Sequence, residues 1–150
     1  MIAIKEATSK KDIKAFVCFP FELYKNNAYW VPPIIKDEMD IFNPNINPVF
    51  ESASAQFFLA YKDGKIVGRV AAMINWIEVK EQQIKKMRFG WMDFTDDTAV
   101  SEALLEKVSE IGKANQLEYI EGPVGFSNLD KVGCLIEGFN HIGTMITWYN

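Results

Sequence analysis

The chain has 150 residues, 49% hydrophobic and 24% charged, and its 16 basic and 20 acidic side chains give a net charge of −4. This composition is typical of one globular domain, and the absence of a basic run argues against nucleic acid or an anionic membrane as a partner. Two cysteines, one histidine, no apolar run of roughly 20 residues and no signal-peptide pattern indicate a cytoplasmic protein without a disulfide framework or a metal site.

The N-terminal part predicts a short strand followed by a helix. Residues 2–8 begin with alternating apolar and polar side chains, which favours a strand. Ser9 and Asp12 fit a capping box at the start of a helix. Proline lacks the backbone N–H of a helical residue, so we expect Pro20 to interrupt that helix.

A second helix and a loop follow. Pro33 suits the first turn of a helix, where its missing N–H would be unpaired in any case. The apolar residues Ile35, Met39 and Phe42 would form the buried stripe of this helix. Residues 43–48, with the sequence NPNINP, predict a loop because proline also restricts the residue before it.

The middle of the chain predicts antiparallel strands. Asp63-Gly64 separates the apolar runs 57–62 and 65–79, and this dipeptide tolerates the positive φ angles of a two-residue type I′ turn. A hairpin is therefore the strongest local prediction. Residues 81–86 would form the next turn and residues 87–94 the next strand.

The C-terminal part predicts a long helix over 98–116, with Asp96, Asp97 or Thr98 as its cap. Its buried face would carry Val100, Leu104, Val108 and Ile111. The remaining predicted elements are a strand over 118–124, a turn over 125–128, a short helix over 129–137 closed by Gly138, and a strand over 143–150.

This order predicts an α+β fold with three layers. A mixed, mostly antiparallel twisted sheet would have helices packed on both faces. The strand–helix–strand unit over 87–124 needs a crossover connection, which would make its two strands parallel.

Several segments, in this order, resemble the acyl-CoA N-acyltransferase superfamily, known as the GNAT fold. DGKIVGRVAAMIN is similar to its second and third strands, RFGWMDF to its fourth, ALLEKVSEIGKANQLEYIEG to its long helix and fifth strand, and CLIEGF to its Y-x-x-x-G-F element. The segments FPFELYKNNAYWVPP, NPVF and GPVGFSNLDKVG also resemble the N-terminal part of larger bacterial acyltransferase-like proteins.

The resemblance implies a splayed pair of parallel strands, the fourth and the fifth, that admits the pantetheine arm of acetyl-CoA or another acyl-CoA. Backbone groups of Trp91, Met92 and Asp93 would bind this arm. The turn after the fifth strand lies where ligands tend to bind in open sheets. The candidate cofactor-binding residues of that turn are Gly122, Gly125, Ser127 and Asn128.

The expected phosphate loop is missing. In the superfamily a Q/R-x-x-G-x-G/A loop at the start of the long helix holds the pyrophosphate, whereas residues 94–101 here read FTDDTAVS. Asp96 and Asp97 are good helix caps but repel a diphosphate. Helix capping is therefore favoured over phosphate binding at this position.

The resemblance also implies candidate catalytic residues. Cys134 stands in the position of the tyrosine that would protonate the leaving thiolate, and its alternative role is that of a small buried hydrophobe. Glu78 and Glu81, near the end of the third strand, and Asp93, in the fourth, could serve as the base that accepts the proton of the amine. Their alternative role is as solvated charges at the edge of the sheet.

The aromatic residues Tyr24, Tyr29 and Trp30 lie between the first helices, where relatives build the acceptor groove. They are candidate substrate contacts, and ring packing between helices is the alternative. His141 lies in a predicted loop, where a single histidine is usually a surface residue.

Two classes of function follow. The first is an acyl-CoA-dependent N-acyltransferase domain acting on an unknown amine. The second is a non-catalytic, degenerate module of the same fold, which forms part of a larger protein or binds a partner or a small ligand through its aromatic groove. Candidate partners are accordingly a small-molecule amine or none, a C-terminal domain of the same parent chain, or a second copy.

Residues 1–150 are predicted to form a single domain. The GNAT fold closes with a further strand after the G-F element, and one strand, 143–150, remains for that purpose. We therefore expect that this domain either lacks its last strand or is cut from a longer chain.

Overall fold

The computed structural model describes residues 1–142, which form a five-stranded sheet with its strands in sequence order. The strands are β1 (Ile2–Glu6), β2 (Ala53–Lys62), β3 (Lys65–Asn75), β4 (Lys86–Phe94) and β5 (Tyr119–Glu121). The helices are α1 (Lys10–Leu23), α2 (Ile35–Ile41), α3 (Trp76–Lys80) and α4 (Thr98–Ala114), with a 3-10 turn at Pro48–Glu51. Neighbouring strands are antiparallel except for the parallel pair β4 and β5, which confirms the predicted mixed sheet. The strand predicted over 143–150 lies outside the described residues.

Each face of the sheet is covered by its own helices. On one face, Phe16 of α1 packs edge-on against Phe42, which follows α2, and against Phe57 of β2, with ring centroids 5.4 and 5.5 Å apart. On the other face, α4 buries Leu104 and Val108 fully. The three predicted layers are therefore present.

The strongest local predictions are confirmed. Asp63 and Gly64 both have positive φ, 51° and 77°, as the two central residues of a type I′ turn require. The Ser9 hydroxyl accepts the Asp12 N–H at 3.1 Å while the Asp12 carboxylate accepts the Ser9 N–H at 3.2 Å, which completes the capping box. Of the three candidate caps of α4, Asp97 accepts the Ala99 N–H at 3.1 Å.

The prediction that Pro20 interrupts the first helix is wrong, because α1 continues through it to Leu23. A proline in a helix leaves the carbonyl four residues earlier without its donor, here that of Phe16. Arg69 of β3 supplies the missing donor, with its Nη1 2.9 Å from the Phe16 oxygen. The sheet thus stabilises a helix that the local sequence alone would break.

Three further predictions differ from the structure. Residues 76–80 form α3 rather than the end of a strand, because the Asn75 side chain accepts the N–H groups of Ile77 and Glu78 and begins a helix. Helix α2 begins at Ile35, so Pro33 lies before its first turn. The helix predicted over 129–137 does not form.

The segment 129–137 is an irregular surface segment. Lys131 and Gly133 have positive φ, 39° and 91°, which a right-handed helix does not allow. Leu135 and Ile136 are 63% and 78% exposed, so these apolar side chains are not packed against the rest of residues 1–142. Among these described residues, no helix is long and apolar enough to cross a membrane.

Strand β4 contains a β-bulge that determines which side chains face α1 and α2. Its pairing with β3 is irregular between Arg69 and Ala71, opposite Gly90 and Asp93, and Trp91 has a φ of 45°. Phe89 and Met92 pack on the α4 face, whereas Trp91 packs on the face of α1 and α2. The extra residue places Arg88, Trp91 and Asp93 on the same face.

Replacing Arg69 by methionine (R69M) should lower the free energy of unfolding by about 3–5 kcal/mol, because the Asp93 carboxylate and the Phe16 carbonyl both lose a buried donor. Urea denaturation measures this change. P20A restores an N–H at position 20 for the Phe16 carbonyl. The double variant P20A/R69M should therefore lose less free energy of unfolding than the sum of the losses in P20A and in R69M. Strictly additive losses would contradict this account of α1.

Candidate active site on strand β4

Asp93 is the centre of a buried polar cluster. The Tyr24 hydroxyl donates to its Oδ1 at 2.8 Å, and the Arg69 Nε–H donates to its Oδ2 at 2.7 Å, with Arg69 Nη2 at the same distance in an ion pair. Burial and the Asp93 carboxylate raise the pKa of Tyr24 above its ordinary value of 10.0. The Tyr24 phenol therefore keeps its proton at neutral pH and acts as a donor to Asp93.

Other predicted residues lie beside this cluster. The Trp30 ring centroid is 5.4 Å from that of Tyr24. Cys134 is exposed rather than buried as a small hydrophobe would be. Tyr24 and Trp30, near the end of α1, thus come together with Asp93 of β4, which lies far from them in the sequence.

Trp91 belongs to a second cluster. Its indole N–H donates to Oε2 of Glu38 at 3.0 Å, and Lys131 donates to Oε1 of the same carboxylate. The Lys131 ammonium also lies 5.4 Å from the Trp91 ring centroid, a cation–π distance. Glu38 is 3% exposed although it lies on a helix of seven residues.

A third cluster contains Glu78, which lies on α3 and not near the end of a strand as predicted. Arg88, which is 2% exposed, donates to both oxygens of Glu78, and its Nη2 also donates to Asn128 at 2.8 Å. Lys86 lies 3.3 Å from Glu78 and 2.8 Å from Glu121. Burial opposes the charge on Glu78, but Arg88 and Lys86 outweigh it and lower the pKa of this carboxyl.

Strands β4 and β5 separate after a short parallel pairing. The paired residues are Lys86–Arg88 and Tyr119–Glu121, followed by one bond from the Val124 N–H to the Phe89 carbonyl at 2.8 Å. Beyond Phe89, no strand among residues 1–142 pairs with the β5 side of β4. The edge at Trp91, Met92 and Asp93 is where the resemblance predicts a pantetheine arm.

The turn after β5 is held by its own groups. A Cβ on Gly122 would lie 2.4 Å from the Phe89 carbonyl oxygen, so only glycine allows this approach to β4. The Asp130 carboxylate accepts the Ser127 N–H at 3.0 Å, and its carbonyl accepts the Gly125 N–H at 2.8 Å. The role of Gly122, Gly125, Ser127 and Asn128 in binding a cofactor stays a prediction.

The start of α4 is occupied by a carboxylate of the chain. Asp97 accepts the Ala99 N–H and also lies 2.8 Å from Lys62. The hydrogen bond to Ala99 shows that Asp97 is a helix cap, as the sequence favoured. Repulsion of a diphosphate by this carboxylate stays a prediction.

The remaining candidates lie apart from these clusters. Tyr29 is 42% exposed, and Glu81 and His141 are exposed. Glu81 ends α3, and the His141 N–H donates to the Gly138 carbonyl at 2.9 Å. Within residues 1–142 no group of three His, Cys, Asp or Glu side chains is placed to hold a metal ion.

Sequence reasoning missed Glu38, Arg69, Arg88 and Lys131. Three of these had a readable signal, because a charged residue interrupts an otherwise apolar pattern. Glu38 lies between Ile35 and Phe42 of the predicted stripe, and Arg69 and Arg88 lie inside apolar strands. Lys131 had no such signal, since it lies in an irregular surface segment.

Comparison with known proteins gives two relatives of greater length, and no family model matches the chain. Over 137 residues it is 31% identical to Protein YghO of Escherichia coli (strain K12), which covers 91% of this chain and 35% of that protein. Over 130 residues it is 29% identical to the bacterial ceramide synthase of Caulobacter vibrioides (strain NA1000 / CB15N), covering 86% and 34%. The chain thus spans about a third of the length of the curated relatives it matches.

Among solved structures, the chain is similar to a predicted acetyltransferase of Clostridium acetobutylicum crystallised with acetyl-CoA. The TM-score is 0.58 at 15% identity, covering 81% of this chain and 79% of that one. At this level of identity the likeness shows the fold. The chain has the fold of the GNAT acetyltransferases, as the sequence motifs indicated.

Replacing Gly90 by alanine (G90A) should lower the free energy of unfolding by about 3 kcal/mol, because the new Cβ would lie 2.4 Å from the Val124 carbonyl oxygen. Thermal unfolding with G112A as control tests this. The nearest atom to a Cβ at Gly112, in α4, is a Met87 carbon at 3.4 Å, so G112A should be neutral or stabilising. Equal losses in both variants would contradict a close contact between β4 and the segment after β5.

Replacing Glu78 by glutamine (E78Q) should lower the free energy of unfolding at pH 7 by about 3 kcal/mol, because Arg88 and Lys86 lose a buried counter-ion. The folded-state pKa of Glu78 is lowered from 4.5, so its contribution is present above pH 4.5 and is lost as pH falls through the lowered value. The difference between wild type and E78Q in the free energy of unfolding, measured by urea denaturation, should therefore shrink as the pH falls through the lowered pKa. E110Q, in an exposed ion pair with Lys107, should show little difference at any pH.

Proposed function

We propose that this chain is an acyl-CoA-dependent N-acyltransferase domain that transfers an acyl group to a primary amine. The observation that supports it best is the open edge of β4 at Trp91, Met92 and Asp93, directly beside the Asp93 and Tyr24 pair. The edge supplies backbone groups for an extended acyl carrier, and the pair supplies proton-transfer chemistry at the same strand. The same fold binds acetyl-CoA in the Clostridium acetobutylicum protein.

Acyl-CoA would supply the activated acyl group as a thioester. The bond from the amine nitrogen to the acyl carbon forms, the bond from that carbon to sulfur breaks, and the nitrogen loses a proton. In the proposal Asp93 accepts this proton, because Tyr24 donates a single hydrogen bond to Oδ1 and Arg69 donates to Oδ2, which leaves Oδ1 a further acceptor position. Cys134, which the resemblance places in the position of the acid, would give a proton to the leaving sulfur.

Glu78 is less suited to be the base. Both of its oxygens accept hydrogen bonds from Arg88, and Lys86 lies near one of them. Its lowered pKa also makes it a weaker proton acceptor than an ordinary glutamate. We therefore assign it the role of fixing Arg88 and Lys86 at the base of the β4–β5 opening.

The acceptor class follows from the relative named as a bacterial ceramide synthase. A ceramide is the amide of a fatty acid and a long-chain amino alcohol, so its formation acylates a primary amine on an apolar chain. We propose an acceptor of this class. The Trp30 ring, with its centroid 5.2 Å from that of Phe21 and 5.4 Å from that of Tyr24, forms with them an apolar surface next to Asp93.

The capped start of α4 favours a second candidate, a non-catalytic module within a longer protein. Asp97 occupies the position where the resemblance places the pyrophosphate, and the two relatives are about three times as long as this chain. In this case the chain would contribute its fold and its aromatic surface, and another part of the protein would bind acyl-CoA.

Acetyl-CoA should bind the wild-type chain and raise its melting temperature, because a ligand that binds only the folded state stabilises it. D97N keeps a good helix cap and removes the charge that faces the diphosphate, so it should bind acetyl-CoA about fivefold more tightly. Calorimetric titration of both proteins measures this.

The matched control is D12N, which makes the same change at the start of α1, in a capping box far from β4 in the sequence. D12N should bind acetyl-CoA like the wild type. Absence of binding to both wild type and D97N at millimolar acetyl-CoA would favour the non-catalytic module.

A further inference from the structure

Glu38 is a buried anion whose counter-ion comes from the surface. The Glu38 side chain is 4% exposed, whereas that of Lys131, which donates to it, is 42% exposed. Lys131 therefore extends from an exposed segment to a carboxylate in the interior. A buried carboxylate without a cation is strongly unfavourable, so this position requires a positive charge.

The groups around the Lys131 ammonium match a primary alkylammonium. The carboxylate of Glu38 accepts a charged hydrogen bond, and the Trp91 ring lies at 5.4 Å. The rings of Phe42 and Phe126 pack against Trp91 at centroid distances of 5.0 and 5.9 Å. The Glu38 carboxylate and the face of the Trp91 ring thus offer one anion and one aromatic surface, a combination that suits an ammonium group.

Lys131 can leave this position without disturbing the core. It has a φ of 39° and lies in an irregular segment, where Leu129 and Val132 are 57% and 46% exposed. Glu38 and Trp91, by contrast, lie on α2 and β4 and are joined directly by a 3.0 Å hydrogen bond. Withdrawal of Lys131 would leave the indole and the carboxylate in place and open the site to solvent.

We infer that Glu38 and Trp91 bind the acyl acceptor as its ammonium ion before the reaction, and that Lys131 occupies this site until the acceptor displaces it. The bound ammonium gives up one proton to solvent before the neutral amine reacts beside Asp93. The inference rests on the proposed function and names the residues that would select a primary amine. Trp91 would contact both the acyl-CoA arm and the amine, since its backbone lies on the open β4 edge and its indole faces the ammonium site. Lys131 is then a built-in competitor that keeps Glu38 neutralised in the free protein.

The test is a titration of the ¹⁵N-labelled 150-residue chain with n-hexylamine, followed at the indole N–H resonance of Trp91, which W91F assigns. The wild type should show a saturable shift of this resonance. In K131M the competitor is absent, so the midpoint should fall about tenfold or more. K107M, which removes the lysine of an exposed ion pair with Glu110, should titrate like the wild type.

Three results would overturn the inference. They are no shift of the Trp91 resonance in K131M, equal midpoints in K131M and wild type, and binding in K131M with no displacement in the wild type. The last result would make Lys131 a permanent structural link. E38Q should abolish the shift. The comparison of K131M with the wild type does not depend on the E38Q result, because K131M leaves the buried residues unchanged.

Two further titrations distinguish the possible outcomes. Nα-acetyl-lysine amide, titrated in parallel, identifies the source of the amine, since binding equal to that of n-hexylamine indicates a lysine side chain and weaker binding indicates a small-molecule amine. Acetyl-CoA, titrated into the same samples and followed at the Met92 and Asp93 amides, tests the proposed function separately. Amine binding without acetyl-CoA binding would overturn only the proposed function, and the reverse would overturn only the ammonium site.

Discussion

The bulge in β4 is the constraint on which the candidate site depends. A regular strand alternates its side chains, so Arg88 and Trp91 would face opposite sides of the sheet. One extra residue between Gly90 and Asp93, where Trp91 and Met92 oppose Val70 alone, brings Arg88, Trp91 and Asp93 to a common face and gives Trp91 a φ of 45°. A non-glycine residue at this φ costs about 1–2 kcal/mol, which the Glu38 bond and the packing of the indole offset.

Each of these three β4 residues joins the strand to a different element. Arg88 pairs with Glu78 of α3, Trp91 bonds Glu38 of α2, and Asp93 accepts the hydroxyl of Tyr24, at the end of α1. Buried charges are tolerated only when paired and hydrogen-bonded, so each contact fixes the distance of one helix from the sheet. The same strand thereby gathers groups that can bind an anion, a cation and a proton.

The β4–β5 opening favours the binding of an acyl-CoA, whereas the start of α4 disfavours it. The opening leaves backbone groups available beside Asp93, as an acyl carrier would require, whereas Asp97 places a carboxylate and its partner Lys62 where a pyrophosphate would approach. A domain with this combination would hold an acyl arm mainly through β4 and the turn after β5.

The sequence by itself determined the features that depend on neighbouring residues: the Asp63-Gly64 hairpin, the Ser9 capping box, the amphipathic α4 and the mixed order of the sheet. Local hydrogen bonds, turn geometry and side-chain periodicity produce these features, and they can be read within a few residues. Tertiary structure alone decided the rest. Arg69 lets α1 pass Pro20, and the bulge carries Trp91 to Glu38, because both depend on partners about 50 residues away in the chain.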